Sequence, residues 1–227
     1  MQDGIVVARP RGVVAARIVA AAIAALLVGV GVGVLLHVLL GQRSSTAAVL
    51  TSRHGMDGQA TWAPGAVAAP QIETLADQSG RRFSLAALRG HTVALVFFDS
   101  HCTQECPLEG RELAAAESSL PAAERPVLLA VSVNPLDTPA SAAKAARAWG
   151  LAGVAPWHWL MGTRVQLRPI WRAYNIYVGR PVNGDIPHTE ALMLIDRRGY
   201  ERSAYLYPFA QRFVTHDLTV LGLSRRA

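Results

Sequence analysis

The stretch from Val93 to Pro107 constrains this chain more than any other. It runs from six apolar residues, Val93 to Phe98, through the polar turn Asp99-Ser100-His101 to Cys102, then Cys106 and Pro107. The apolar run is short and rich in β-branched and aromatic residues, as a strand buried on both faces should be. Asp99 and Ser100 can open a turn or cap a helix. Pro107 is tolerated in a first helical turn, where its missing N–H is not needed. The expected unit is therefore strand, turn and helix, the helix running from Leu108 to Leu120. Both cysteines then sit near a helix N-terminus, where the dipole and free N–H groups favour thiolates. An i, i+4 spacing puts both sulfurs on one side of a helix, within the Cα separation a disulfide allows. Such a pair can clamp a soft metal or close a disulfide, and the spacing does not choose between them. These are the only cysteines in the chain.

At 227 residues, the chain suits one domain with appendages. Residues Ile18 to Leu40 carry no charge, and this segment is long enough to cross a bilayer as a helix. No small-x-small cleavage site precedes Gln42, so the segment reads as an uncleaved anchor. Arg9, Arg11 and Arg17 precede it, while Arg43 and Arg53 follow. The positive-inside rule favours residues 1–17 in the cytoplasm and the globular part outside it, on a single-pass membrane protein. Residues 41–69, rich in Ser, Ala, Gly, Thr and Pro, read as a flexible linker, in which His54 and Met56 are incidental. The net charge is +6, carried by scattered arginines and the lone Lys144. No basic run is interleaved with aromatics, so nucleic acid is not an expected partner.

A domain is expected over residues 70–227. Gln71 to Ala76 and Arg82 to Leu85 alternate about the turn signal Asp77 to Gly80, predicting an N-terminal hairpin. Pro126 to Val133 is a second buried-strand pattern. Thr138 with Pro139 predicts a helix start, and the Ala-rich segment to Trp149 follows. Trp157 to Met161 reads as a strand, Thr163 as the cap of a helix to Tyr174, His188 to Asp196 and Tyr200 to Tyr207 as a returning pair of strands, and Phe209 to Leu223 as a closing helix. Strands alternating with helices predict an α/β sheet covered on both faces. With the cysteines after a central strand, the pattern resembles a thioredoxin-like fold, preceded here by one transmembrane helix.

Four segments are together similar to the Sco/SenC family of copper proteins. Phe97 to Pro107 resembles its CxxxCP motif, and Leu88 to Val93 its lead-in to that strand. Val131 to Pro139 resembles its loop ending in Asp-Thr-Pro, and Pro187 to Asp196 its strand with the distal histidine. The resemblance implies copper, as Cu(I) or Cu(II), held by Cys102, Cys106 and His188. It implies delivery of that copper to the CuA site in the copper-bearing subunit of cytochrome c oxidase, or to another copper acceptor. Thiolates select Cu(I), and imidazole suits either oxidation state. The chain departs from the family at Thr103, Gln104 and Glu105, where Pro and Asp are frequent, and at Pro187, where an acidic residue is usual; Asp185 lies three back. The alternative function is a thiol-disulfide oxidoreductase acting on exported or oxidase-subunit cysteines through Cys102 and Cys106. The plainer alternatives are a structural disulfide and a hydrogen-bonded strand-end His188. His158, between Trp157 and Trp159, should point to the opposite sheet face.

Overall fold

The computed structural model describes residues 54–182 and 184–223. The expected cytoplasmic segment 1–17, the anchor 18–40 and the first part of the linker, 41–53, lie outside the described residues. Among those described, no helix is long and apolar enough to cross a membrane.

The strands are β1 (Ala60–Thr61), β2 (Val93–Phe98), β3 (Val127–Ser132), β4 (Trp157–Leu160), β5 (Ala191–Ile195) and β6 (Glu201–Leu206). The helices are α1 (Glu105–Ser118), α2 (Pro139–Ala148), α3 (Arg164–Ala173) and α4 (Gln211–Leu223). The sheet order is β1-β6-β5-β2-β3-β4. β2, β3 and β4 are parallel, whereas β5 pairs antiparallel with β2 and β6 antiparallel with β5. Every residue of β2 and of β3 is buried. That is why both appear in the sequence as unbroken apolar runs.

Successive side chains of β2 serve two cores, as strand alternation requires. Ala94, Val96 and Phe98 pack with Cys106 and Leu113 of α1, Ala142 and Ala146 of α2, and Val214 and Leu218 of α4. Val93, Leu95 and Phe97 pack with Leu167, Ile170 and Trp171 of α3 and with Ile72, Leu75 and Phe83. The first core is anchored by Phe98, Trp149 and Trp159, whose ring centroids lie 5.2 to 5.8 Å apart. Offset and edge contacts of this kind add to simple burial. α1 lies so close to Trp149 that a Cβ at Gly110 would stand 3.0 Å from the Trp149 Cβ.

The expected caps form. Thr138 and Ser141 make a reciprocal capping box with Pro139 in the first turn, and Thr163 and Gln166 make another. The α3 helix runs through Pro169. His158 and Trp159 do take opposite faces: Trp159 enters the first core, while the His158 ring packs 5.3 Å from Phe83.

Two expectations need correction. The N-terminal hairpin shrinks to one bridge, Ala76 to Arg82, and Ala76 bridges to Met161 as well. Ile72, Leu75, Phe83 and Leu85 instead bury themselves in the second core, so packing rather than a ladder fixes this loop. The described part of the expected linker, from His54, packs against the domain. Met56 is 1% exposed in the first core, Asp57 N–H donates to Asp217 Oδ1 at 2.7 Å, and β1 pairs with β6. Gly58 crosses β6 so tightly that an added Cβ would lie 2.7 Å from the Ser203 Cβ. Ser, Gly and Pro content alone hid these anchors. Met56→Ala should therefore destabilise the protein by about 2–5 kcal/mol, the range for truncating a buried Met. Denaturant midpoints measure this, and an unchanged midpoint would restore the tether reading.

Candidate metal centre

The β2 strand ends at Phe98, and the chain turns at once. Cys102 N–H donates to the Asp99 carbonyl at 3.1 Å, closing a turn before α1 begins at Glu105. Cys106 thus occupies the first turn of α1 and is fully buried, whereas Cys102 precedes the helix and is half-buried. The pair is not stacked along one helix face; the Cys102 sulfur sits over the helix entrance. Both are free thiols.

This placement makes the two thiols unequal. The Cys102 thiol is lowered to about 7, chiefly because the Cys106 thiol hydrogen-bonds to its sulfur, with backbone N–H groups of Gln104 and Cys106 adding to the effect against burial. The Cys106 thiol is pushed up, by donating that bond and by burial. Cys102 is therefore the more readily ionised of the two, with the Cys106 thiol donating to its sulfur. A thiolate over helix N–H groups is the expected consequence of the macrodipole and free donors there.

His188 reaches the same place from before β5. Its Nε2 lies 4.0 Å from Cys106 Sγ and 3.0 Å from the Phe97 carbonyl oxygen. Its Nδ1 lies 2.8 Å from the Ile186 carbonyl oxygen. A neutral imidazole carries one N–H. It can therefore donate to only one of the two carbonyl oxygens, and ligation through Nε2 requires Nδ1–H to donate to Ile186 and the Nε2 contact with Phe97 to be given up. Orientation of one ring nitrogen by a backbone carbonyl is the usual second support of a ligating histidine.

The structure thus gathers all three sequence-predicted residues, and adds others. Cys102, Gln104, Glu105, Asp185, His188 and Glu190 line one open cleft. Beside this cleft, Cys106, His188 and Glu190 place their ligand atoms within 4.8 Å of one another. Glu190 was missed; its signal was a carboxylate two residues beyond His188. Burial, then Glu105 and Cys102, push its carboxyl up to about 7. Glu109, one turn along α1 from Cys106, is wholly buried with both side-chain oxygens unpartnered, and burial holds its carboxyl well above the usual range. Asp185 accepts hydrogen bonds from Thr103 N–H at 3.3 Å and from the Gln104 Nε2–H at 2.9 Å. It therefore ties the divergent residues between the cysteines to the loop that carries His188. His101 turns elsewhere: its Nδ1 lies 3.3 Å from Asp137 Oδ1 and 3.5 Å from Asp99 Oδ1.

Parallel β2-β3-β4 with antiparallel β5 and β6, and a dithiol turn after the central strand, define a thioredoxin-like domain with an imidazole brought to its two sulfurs. The SCO1/SenC family model matches residues 73–221, more than half of the chain, and the protein belongs to that family. Solved structures share the fold. Bradyrhizobium japonicum ScoI with copper bound is 23% identical, with TM-score 0.55 over 69% of this chain and 99% of that one. Arabidopsis thaliana ScoI with copper bound is 20% identical, with TM-score 0.59 over 71% and 100%. BsSco, described as a member of the Sco family of cytochrome c oxidase assembly proteins with a disulfide switch, is 20% identical, with TM-score 0.59 over 72% and 98%. No curated protein matches this chain in sequence.

Alkylation tests the unequal thiols. The rate of Cys102 modification by iodoacetamide in the reduced protein should rise with a midpoint near pH 7. Cys106→Ala removes the largest cause of the lowering, so the midpoint should move upward, toward the value near 8.5 of a free cysteine. An unmoved midpoint would assign the lowering to the helix N–H groups alone.

Proposed function

We propose that this protein binds copper through Cys102, Cys106 and His188 and passes it to a copper acceptor, the CuA site of cytochrome c oxidase being the foremost candidate. The single observation that carries the reading is the approach of His188 Nε2 to Cys106 Sγ, 4.0 Å across 82 residues of sequence. Two thiolates and an imidazole form a soft, three-donor set suited to Cu(I). Binding requires the Cys106 proton to leave, and the ion's positive charge replaces it; affinity should therefore weaken as pH falls. Three donors at an open cleft leave room for an acceptor's ligand to enter before the last donor departs. The copper-bound relatives and the oxidase-assembly description of BsSco support this reading. With segment 18–40 as its membrane anchor, the domain would work on the extracytoplasmic side.

A second reading has its own observation. The thiol of Cys102 is lowered to about 7 while that of Cys106 is raised, an asymmetry that suits an attacking and a resolving thiol. Cys102 would attack a client disulfide, and Cys106 would then release the reduced client and leave a Cys102–Cys106 disulfide. Copper is not required.

Titration of the reduced full-length protein with a Cu(I) chelator separates the two. About one Cu(I) per chain should bind, and Cys102→Ser or Cys106→Ser should weaken it at least a hundredfold. His188→Ala should weaken it about tenfold or more. Wild-type affinity in both cysteine variants would end the copper reading. Client-disulfide reduction that survives His188→Ala and thorough copper removal would favour the reductase.

A further inference from the structure

We propose that Glu190 is an oxygen donor to copper in the Cu(II) state, joining Cys102, Cys106 and His188 when the ion is oxidised and standing aside when it is Cu(I). The inference rests on the copper reading above and deepens it. Its basis is the backbone leading into β5. His188 bridges antiparallel to Val178, Thr189 N–H donates to the Tyr177 carbonyl at 2.9 Å, and Tyr177 N–H donates to Thr189 Oγ1 at 3.1 Å. The segment is therefore extended, and the Thr189 side chain is engaged on the side of Tyr177. In extended chain, side chains two apart share a face. Glu190 must then project beside His188, toward Cys106.

The distances agree with that alternation. The Glu190 carboxylate, His188 Nε2 and Cys106 Sγ lie within 4.8 Å of one another, so one ion could touch all three after small side-chain rotations. Glu105 also lines the cleft, as the exposed first residue of α1. Asp185 spends both oxygens on Thr103 and Gln104. Glu109 is wholly buried within α1 and does not line the cleft. The Glu190 backbone is pinned, its carbonyl accepting from Tyr207 N–H at 3.0 Å. Its position is thus set by the sheet and not by a free loop.

Coordination chemistry assigns the oxidation state. Cu(I) is satisfied by two thiolates and an imidazole, and gains little from a hard oxygen. Cu(II) takes tetragonal sites with nitrogen and oxygen donors. A carboxylate at this spot therefore strengthens Cu(II) binding selectively.

The test uses the full-length protein, loaded separately with Cu(I) under anaerobic reductant and with Cu(II) from copper(II) sulfate. Glu190→Gln keeps the shape and removes the anionic donor. It should lower Cu(II) affinity at least tenfold and change the Cu(II) electron paramagnetic resonance parameters. Cu(I) affinity should stay within about twofold, which also shows that the variant is folded. Glu190→Asp, which retains a carboxylate, should recover part of the Cu(II) affinity. Unchanged Cu(II) spectra and affinity in Glu190→Gln would overturn the proposal, as would equal losses for Cu(I) and Cu(II). A wild-type protein that binds neither ion would instead overturn the copper reading beneath it.

Discussion

The register of β5 against β2 is the constraint on which the site depends. Val93 faces Ile195, and Val96 faces Leu192, antiparallel. Continued past the last pair, that register sets Glu190 opposite Phe98, the last residue of β2, and carries His188 beyond it, where the cysteine turn begins. The His188 ring consequently meets the Phe97 carbonyl and the Cys106 sulfur. A slip of one residue would send alternate side chains to the other face. It would also push Leu192 and Leu194 out of the first core, where both are fully buried. Hydrophobic burial therefore fixes the position of a polar donor more than eighty residues away in sequence.

The parts of the fold that could be read from sequence are those where one physical signal dominates. β2 and β3 are buried on both faces, so composition alone exposes them. Thr138-Pro139 and Thr163 announce their helices because orphan N–H groups need acceptors. The first turn of α1 begins at Glu105, earlier than the apolar pattern from Leu108, because Pro107 sits comfortably within it. Other features were hidden because they depend on distant partners. The two residues of β1 have no pattern of their own and exist by pairing with β6. The Gln71 to Leu85 segment alternates like strands, yet its apolar residues are plugs for the second core.

The site divides in the same way. Cys102 and Cys106 stand out as the only cysteines, and His188 was found through a family resemblance whose parts fall in order along the chain. Glu190 gave no periodic signal, since a half-buried carboxylate beside a strand looks like any surface acid. Its relation to His188 follows only once the segment is known to be extended. The departures from the family pattern likewise acquire a use. Thr103 and Gln104 replace residues frequent elsewhere, and both bond to Asp185, which itself stands three residues ahead of His188.

Those two bonds have a mechanical consequence. They join the strip of chain holding the sulfurs to the strip holding the imidazole across the rim of the cleft. Each bond lies at the surface and contributes about 0.5–1.5 kcal/mol. Together they contribute about 1–3 kcal/mol, so by mass action both would be unmade in roughly 0.6 to 16 per cent of molecules. The rim of the cleft is thus held more weakly than the sheet beneath it, whose strands β2 and β3 are buried throughout.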